Sequence, residues 1–257
     1  MFRLLRPVRS ALVAVLLAAP LVAETPALRL RADYWMPYNG EAASSQPGYV
    51  IEIVRHVFES RGVPIDYQVM PWTEALEEAQ AGRIDGVIGA NPAEAGDLVI
   101  PSEPIGAPQP ILLTLRTSTW RYENLLSFRD VKLGVSDGYS YWPGLDKYIE
   151  QPANASRLFV AGGENPLEQL LGHLDRGEIE VMVDFEAVLL WELRQRGLKA
   201  TDYRAVYKHK PDPIYIAFAA NERGRAFAAV LDEGLQALRA SGELEKILRR
   251  YGLGDWK

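Results

Sequence analysis

The chain has 257 residues, no cysteine and a formal charge of −6. Its length allows one large or two small domains, and a 48% hydrophobic content is that of an ordinary globular protein rather than a disordered one. The missing cysteines exclude disulfides, a lipid-modified N-terminal cysteine and the metal or redox motifs built on Cys, and the acidic balance argues against a nucleic-acid partner, which needs a basic stripe.

The first residues carry an export signal. Arg3, Arg6 and Arg9 precede the apolar run Ala11 to Ala19, which is too short to span a bilayer. Pro20 breaks the run, and Ala23 offers a small residue before Glu24. This order predicts a signal peptide over residues 1–23, cleaved near Ala23, and a periplasmic protein. Loss of the three arginines takes the formal charge from −6 to −9.

From there strand and helix signals alternate. Leu28 to Tyr34 reads as a strand, and Gly48 to Arg61 as a helix with Val50, Val54, Val57 and Phe58 on one face. Val63 to Val69 has strand period, Thr73 is placed to cap a helix running to Gly82, and Ile84 to Ala90 and Pro110 to Arg116 read as strands. The pattern then restarts: a strand at Val131 to Val135, a helix at Ser140 to Glu150, and a strand at Arg157 to Ala161. Asn165-Pro166 opens a helix that ends at Gly177. Ile179 to Val183 is a strand, Phe185 to Arg196 a helix, Tyr203 to Tyr207 and Pro213 to Ala219 strands, and Glu222 to Ala240 and Gly242 to Tyr251 closing helices.

Two halves echo each other. Ala81-Gly-Arg-Ile-Asp-Gly-Val-Ile and Arg176-Gly-Glu-Ile-Glu-Val-Met-Val share a helix, Gly cap, apolar-acid-apolar strand plan. Pro101 to Pro110 and Lys208 to Pro213 are the best boundaries. They divide the chain into a first lobe over 24–113 and 212–257 and a second over 114–211. The expected fold is α/β and two-lobed, each lobe a mixed sheet flanked by helices, with two hinge crossings. Ligands of such folds bind at the C-terminal ends of strands, between the lobes.

Several segments together resemble the family 3 extracellular solute-binding proteins of the polar-amino-acid type. Asp33-Tyr-Trp-Met-Pro-Tyr-Asn39 is similar to that family's first-strand motif, Gly48-Tyr-Val-Ile-Glu-Ile-Val to its first helix, and Gly82-Arg-Ile-Asp85 to its Gly-Lys-x-Asp turn. Pro101-Ser-Glu-Pro-Ile105, Gly134-Val-Ser-Asp-Gly138 and Ser241-Gly-Glu-Leu-Glu-Lys-Ile-Leu resemble its later motifs in order. The resemblance covers nearly the whole chain after residue 23 and implies a type II periplasmic binding fold that closes on a solute.

The resemblance also implies a site. Trp35 fits the family's stacking aromatic, with Tyr34 and Tyr38 beside it, and Trp72 fits a cleft aromatic. Gly89, Ala90 and Asn91 follow the third strand, and Tyr139, Ser140 and Tyr141 form the second-lobe loop expected to offer N–H groups. Two departures stand out. No Arg or Lys occurs from Ile84 to Leu115, where the family's carboxylate-binding Arg belongs; Glu94 and Asp97 stand there instead. The position of the amine-binding Asp holds Phe185, flanked by Asp184 and Glu186.

The expected function is capture of a small polar molecule, without chemistry or cofactor, for an inner-membrane transporter permease or a sensory receptor, by a monomer. The site is not that of a standard α-amino acid. The alternatives are a dehydratase-like enzyme using paired acids such as Glu94 or Asp97 with Asp184, and a sensory or accessory binding protein. His56, His173 and His209 have no metal-ligand spacing.

Overall fold

The alternation of apolar and polar residues in Leu28–Ala32 (β1) turns Leu28, Leu30 and Ala32 into a core, and the segments after it build outward from that strand. The computed structural model describes residues 26–257, so the expected signal peptide lies outside the described residues. The chain continues through α1 (Tyr49–Glu59), β2 (Ile65–Val69), α2 (Trp72–Gln80), β3 (Gly86–Ala90) and the short α3 (Pro92–Ala95). Then come β4 (Pro110–Leu115), β5 (Leu133–Ser136), α4 (Pro143–Glu150), β6 (Leu158–Ala161), α5 (Pro166–Asp175), β7 (Val181–Phe185) and α6 (Glu186–Gln195). The chain closes with β8 (Tyr203–Lys208), β9 (Tyr215–Phe218), α7 (Glu222–Ala240) and α8 (Glu243–Arg250).

Two mixed sheets result, and the expected two-lobed α/β architecture is present. The first has the order β2-β1-β3-β9, with β9 antiparallel to β3; the second has the order β6-β5-β7-β4-β8, with β4 antiparallel to both neighbours. β4 pairs through Pro110–Leu115 with β7 and β8, so the division expected between residues 113 and 114 falls inside a strand of the second sheet. The crossings therefore lie between Ile105 and Pro110 and between Lys208 and Tyr215. They run side by side: Ile105 N donates to Ile214 O (2.8 Å), Ile214 N to Gly106 O (2.9 Å) and His209 N to Pro110 O (2.9 Å). Gly106 and Ile214 form an antiparallel bridge, so the two crossings are antiparallel strips of backbone joined to each other.

α7 and α8 fold back on α1, which returns the C-terminus to the first lobe. Tyr251 ties this end down: its hydroxyl donates to Glu52 Oε1 (2.6 Å) and accepts from Gly48 N (3.2 Å). Among the described residues no helix is long and apolar enough to cross a membrane.

Local chemistry moved two helix starts. α2 begins at Trp72 after Pro71, and Thr73 makes no cap hydrogen bond. α4 begins at Pro143 rather than Ser140, because Asp146 draws the preceding loop into a turn: it accepts from Ser140 Oγ (2.9 Å) and Tyr141 N (2.9 Å). Asn165 caps α5 as expected, with Pro166 at the first helical position.

Candidate functional site

The C-terminal ends of β1, β3, β5 and β7 face one another across the lobes and enclose a cleft of about 1120 Å³. Residues follow each strand into it: Asp33 and Trp35 after β1, Asn91 and Glu94 after β3, the loop 137–142 after β5, and Phe185 at the end of β7.

The first-lobe wall is rigid and aromatic. Trp35 stacks on Tyr38 (4.2 Å between centroids), which leans on Tyr49 (5.3 Å), whose hydroxyl donates to Ile105 O (2.9 Å). Gly89 has φ +103°, which L side chains rarely adopt, and its Cβ position lies at contact distance (3.4 Å) from the ring of Trp35. Trp72 closes the same wall from the start of α2. Both tryptophans are more than nine-tenths buried, and the Nε1–H of each is buried without a partner.

The second-lobe wall carries Tyr139, Ser140, Tyr141, Trp142 and Phe185. Phe185 stacks on Tyr141 (5.8 Å) and presents its edge to Trp35 (5.2 Å), so an aromatic bridge runs between the lobes. The lobes also meet through polar contacts. Tyr139 Oη donates to Asp33 Oδ2, Ser140 N donates to Glu94 Oε1 (3.1 Å), and Tyr34 N donates to Glu164 O (2.8 Å). The cleft is thus seen with its rims in contact.

Carboxyl groups dominate its charge. Asp33, Glu94 and Asp146 line it, and Lys147, exposed on α4, is the one basic residue among the described lining residues. Burial pushes Asp33 up to about 7 even though Tyr139 donates to it. Burial pushes Glu94 up to about 7 as well, against two backbone donors, with Asp146 and Asp33 adding like charge. Asp146 is raised by burial. Burial and the field of Asp33 and Asp184 hold Tyr139 well above the ordinary phenol range.

Of the residues expected in the site, Trp35, Trp72, Asn91, Tyr139, Ser140 and Tyr141 line the cleft together. Tyr34, Tyr38, Asp184 and Glu186 do not line it. Tyr38 lies behind Trp35. The Tyr34 side chain turns toward Met36 and Gly40. Asp184 is buried behind Phe185, accepts from Phe185 N (2.6 Å), and is pushed up to about 7 by burial. Glu186 pairs with Lys208 away from the lining. Asp97 is exposed outside the lining, whereas Glu94 is held in it by a capping box on Asn91: Asn91 Oδ1 accepts from Glu94 N (3.0 Å), and Glu94 Oε2 accepts from Asn91 N (2.9 Å). The signal for that placement was the spacing Asn91-Pro-Ala-Glu94, an N-cap with an acid three residues on. Asp33, Trp142 and Asp146, not among the expected site residues, also line the cleft. Among the described residues no cluster of His, Asp and Glu has the arrangement of a metal site.

Comparison with known proteins agrees with this fold. A solved histidine kinase sensor domain with similarity to periplasmic binding proteins superposes with a TM-score of 0.74 at 18% identity, covering 91% of this chain and 99% of its own. An ancestral arginine-binding protein bound to glutamine gives 0.72 at 15% identity, covering 88% and 97%. The arginine-, lysine-, histidine-binding protein ArtJ from the thermophilic bacterium Geobacillus stearothermophilus gives 0.70 at 13%, covering 89% and 96%. At such identities the likeness is one of fold. None of the curated proteins compared matches the chain. The family model for bacterial extracellular solute-binding proteins, family 3, matches residues 31–254, nearly the whole of the two-lobed body and its cleft, and the chain belongs to that family.

Proposed function

We propose that this protein captures a small polar solute between its lobes in the periplasm and delivers it, as a monomer, to an inner-membrane transporter. The observation that carries this reading is the cleft of about 1120 Å³ at the strand ends, walled by aromatics and bridged at its rims. Solute sites of this kind join apolar walls to a few convergent polar groups. Trp35, Trp72 and Tyr141 supply the walls, and Asn91, Tyr139 and Ser140 the polar rim. The signal peptide expected over residues 1–23 supports export, and family membership supports binding over catalysis.

Ligand at 100 times its Kd stabilises the folded state by about 2.7 kcal/mol. A thermal-melt screen of amino acids, amines, sugars and small acids should contain at least one compound that raises Tm in a concentration-dependent way. A flat response to the whole panel would remove the reading's support.

A second reading, that the bound solute is reported to a sensory partner, is favoured by the likeness to the histidine kinase sensor domain. A deletion strain separates the two. Loss of uptake of the bound solute indicates delivery; intact uptake with a lost transcriptional response indicates sensing.

A further inference from the structure

Resting on the solute-binding reading, we infer that the cleft takes an organic cation that carries no carboxylate: a protonated amine, guanidine or quaternary ammonium of the kind left when an amino acid loses its carboxyl group.

The first observation concerns donors. A carboxylate ligand needs N–H groups that point into the cleft, and the loops after β3 and β5 are where such groups lie. There the protein's own acids already hold Asn91 N, Ser140 N and Tyr141 N. Glu94 accepts from Asn91 N (2.9 Å) with one oxygen and from Ser140 N (3.1 Å) with the other. Asp146 accepts from Tyr141 N (2.9 Å) and Ser140 Oγ (2.9 Å). An incoming carboxylate would meet occupied donors and two carboxyl groups of its own charge.

The second observation concerns compensation. Glu94 feels the like charge of both Asp146 and Asp33, and among the described residues no Lys or Arg is a leading influence on any of the three. Buried carboxylates without a countercharge are costly, and a cation seated among them relieves that cost. Burial has already pushed Asp33 and Glu94 up to about 7, so near neutral pH a bound cation would favour their ionised forms.

The third observation is independent of the acids. Trp35, Trp72, Tyr139 and Phe185 line the same space, and aromatic faces attract organic cations, by about 2 kcal/mol when water is excluded. Cation and aromatic-compatible body together describe one ligand class.

Matched pairs test this on the mature protein with no mutation. Calorimetric titration would compare agmatine with arginine, tyramine with tyrosine, and cadaverine with lysine, with choline, glutamate and glutamine alongside. We expect at least one amine or choline to bind, and each binding amine to exceed its parent amino acid at least tenfold. Asp33→Asn with Glu94→Gln should then weaken the amine at least tenfold while the melting transition stays cooperative. Tighter binding of an amino acid or of glutamate overturns the inference and leaves the solute-binding reading standing. Absence of binding by every compound, in titrations reaching millimolar concentration, overturns the inference; the solute-binding reading falls with it only if the sugars and small acids of the thermal-melt panel are silent too.

Discussion

The two lobes start from one local device and end in different walls. α2 and α5 both stop at a left-handed glycine, Gly82 at φ 69° and Gly177 at φ 67°. Each glycine is followed by the same bond: Arg83 N donates to Glu78 O and Glu178 N to His173 O, both at 2.9 Å. Asp85 and Glu180 then sit one residue before their strands. Asp85 N donates to Arg29 O (2.9 Å) and Asp85 Oδ2 accepts from Arg29 N (2.8 Å); Glu180 N donates to Lys132 O (3.1 Å) and Glu180 Oε2 accepts from Lys132 N (2.6 Å). An acid at this point pins the entry of a parallel strand to its neighbour in both lobes. Five residues further the plan splits. Gly89 and Ala90 occupy the places that Asp184 and Phe185 take in the second lobe. Small residues admit the Trp35 ring to the first wall, and Phe185 makes the second wall aromatic itself.

The comparison can be broken at the strand entry. Gly86 corresponds to Val181, but a Cβ at Gly86 would lie 2.7 Å from Ala217 O of β9, a backbone atom that cannot yield cheaply. Gly86→Val should therefore lose about 3 kcal/mol in urea unfolding. Unchanged stability would show the two strand entries to be interchangeable despite the Ala217 contact. The acids come next. Asp85 is buried and also meets Arg29 Nε and Arg223 Nε at 3.3 Å, whereas Glu180 is exposed. Asp85→Ala should cost about 2 kcal/mol and Glu180→Ala about 0.5 kcal/mol. Equal losses would mean that the backbone bond, and not burial, sets the value of this device.

Stability also carries a pH slope. Asp33, Glu94 and Asp184 are pushed up to about 7 when folded, mainly by burial, against about 4 in an unfolded chain. Their neighbours Tyr139, Tyr141, Asp146 and Glu192 supply no positive charge. A raised carboxyl stabilises the fold fully below the unfolded value and loses that contribution as pH rises through the folded one. The Tm of the ligand-free protein should fall between about pH 5 and pH 8. The triple variant Asp33→Asn, Glu94→Gln, Asp184→Asn should flatten that slope, and a slope unchanged by it would place the titration elsewhere.

Much of this was legible in the chain. The strand and helix order, the glycine stops and the internal echo follow from period and from turn chemistry, which are local. Pairing is not local. Nothing within Pro110–Leu115 shows that it joins β7 and β8 rather than the first sheet, because its partners lie from about seventy to nearly a hundred residues away. The loop 140–142 looks helical by composition, and only Asp146 folding back on it delays α4 to Pro143. Strand polarity decided the flanking acids: next to Phe185 in the cleft, Asp184 points behind it and Glu186 pairs with Lys208. Carboxylates that occupy backbone donors from the opposite lobe, as Glu94 does at Ser140, leave no trace in a linear pattern.

The most direct measurement is native mass spectrometry of the protein exported from cells and purified without unfolding, with the released ligand identified by fragmentation. A single bound small molecule with a fixed positive or protonated nitrogen and no carboxyl group is predicted, and it should be absent from Trp35→Ala. A bound carboxylic acid, or an adduct retained in that variant, would contradict the account.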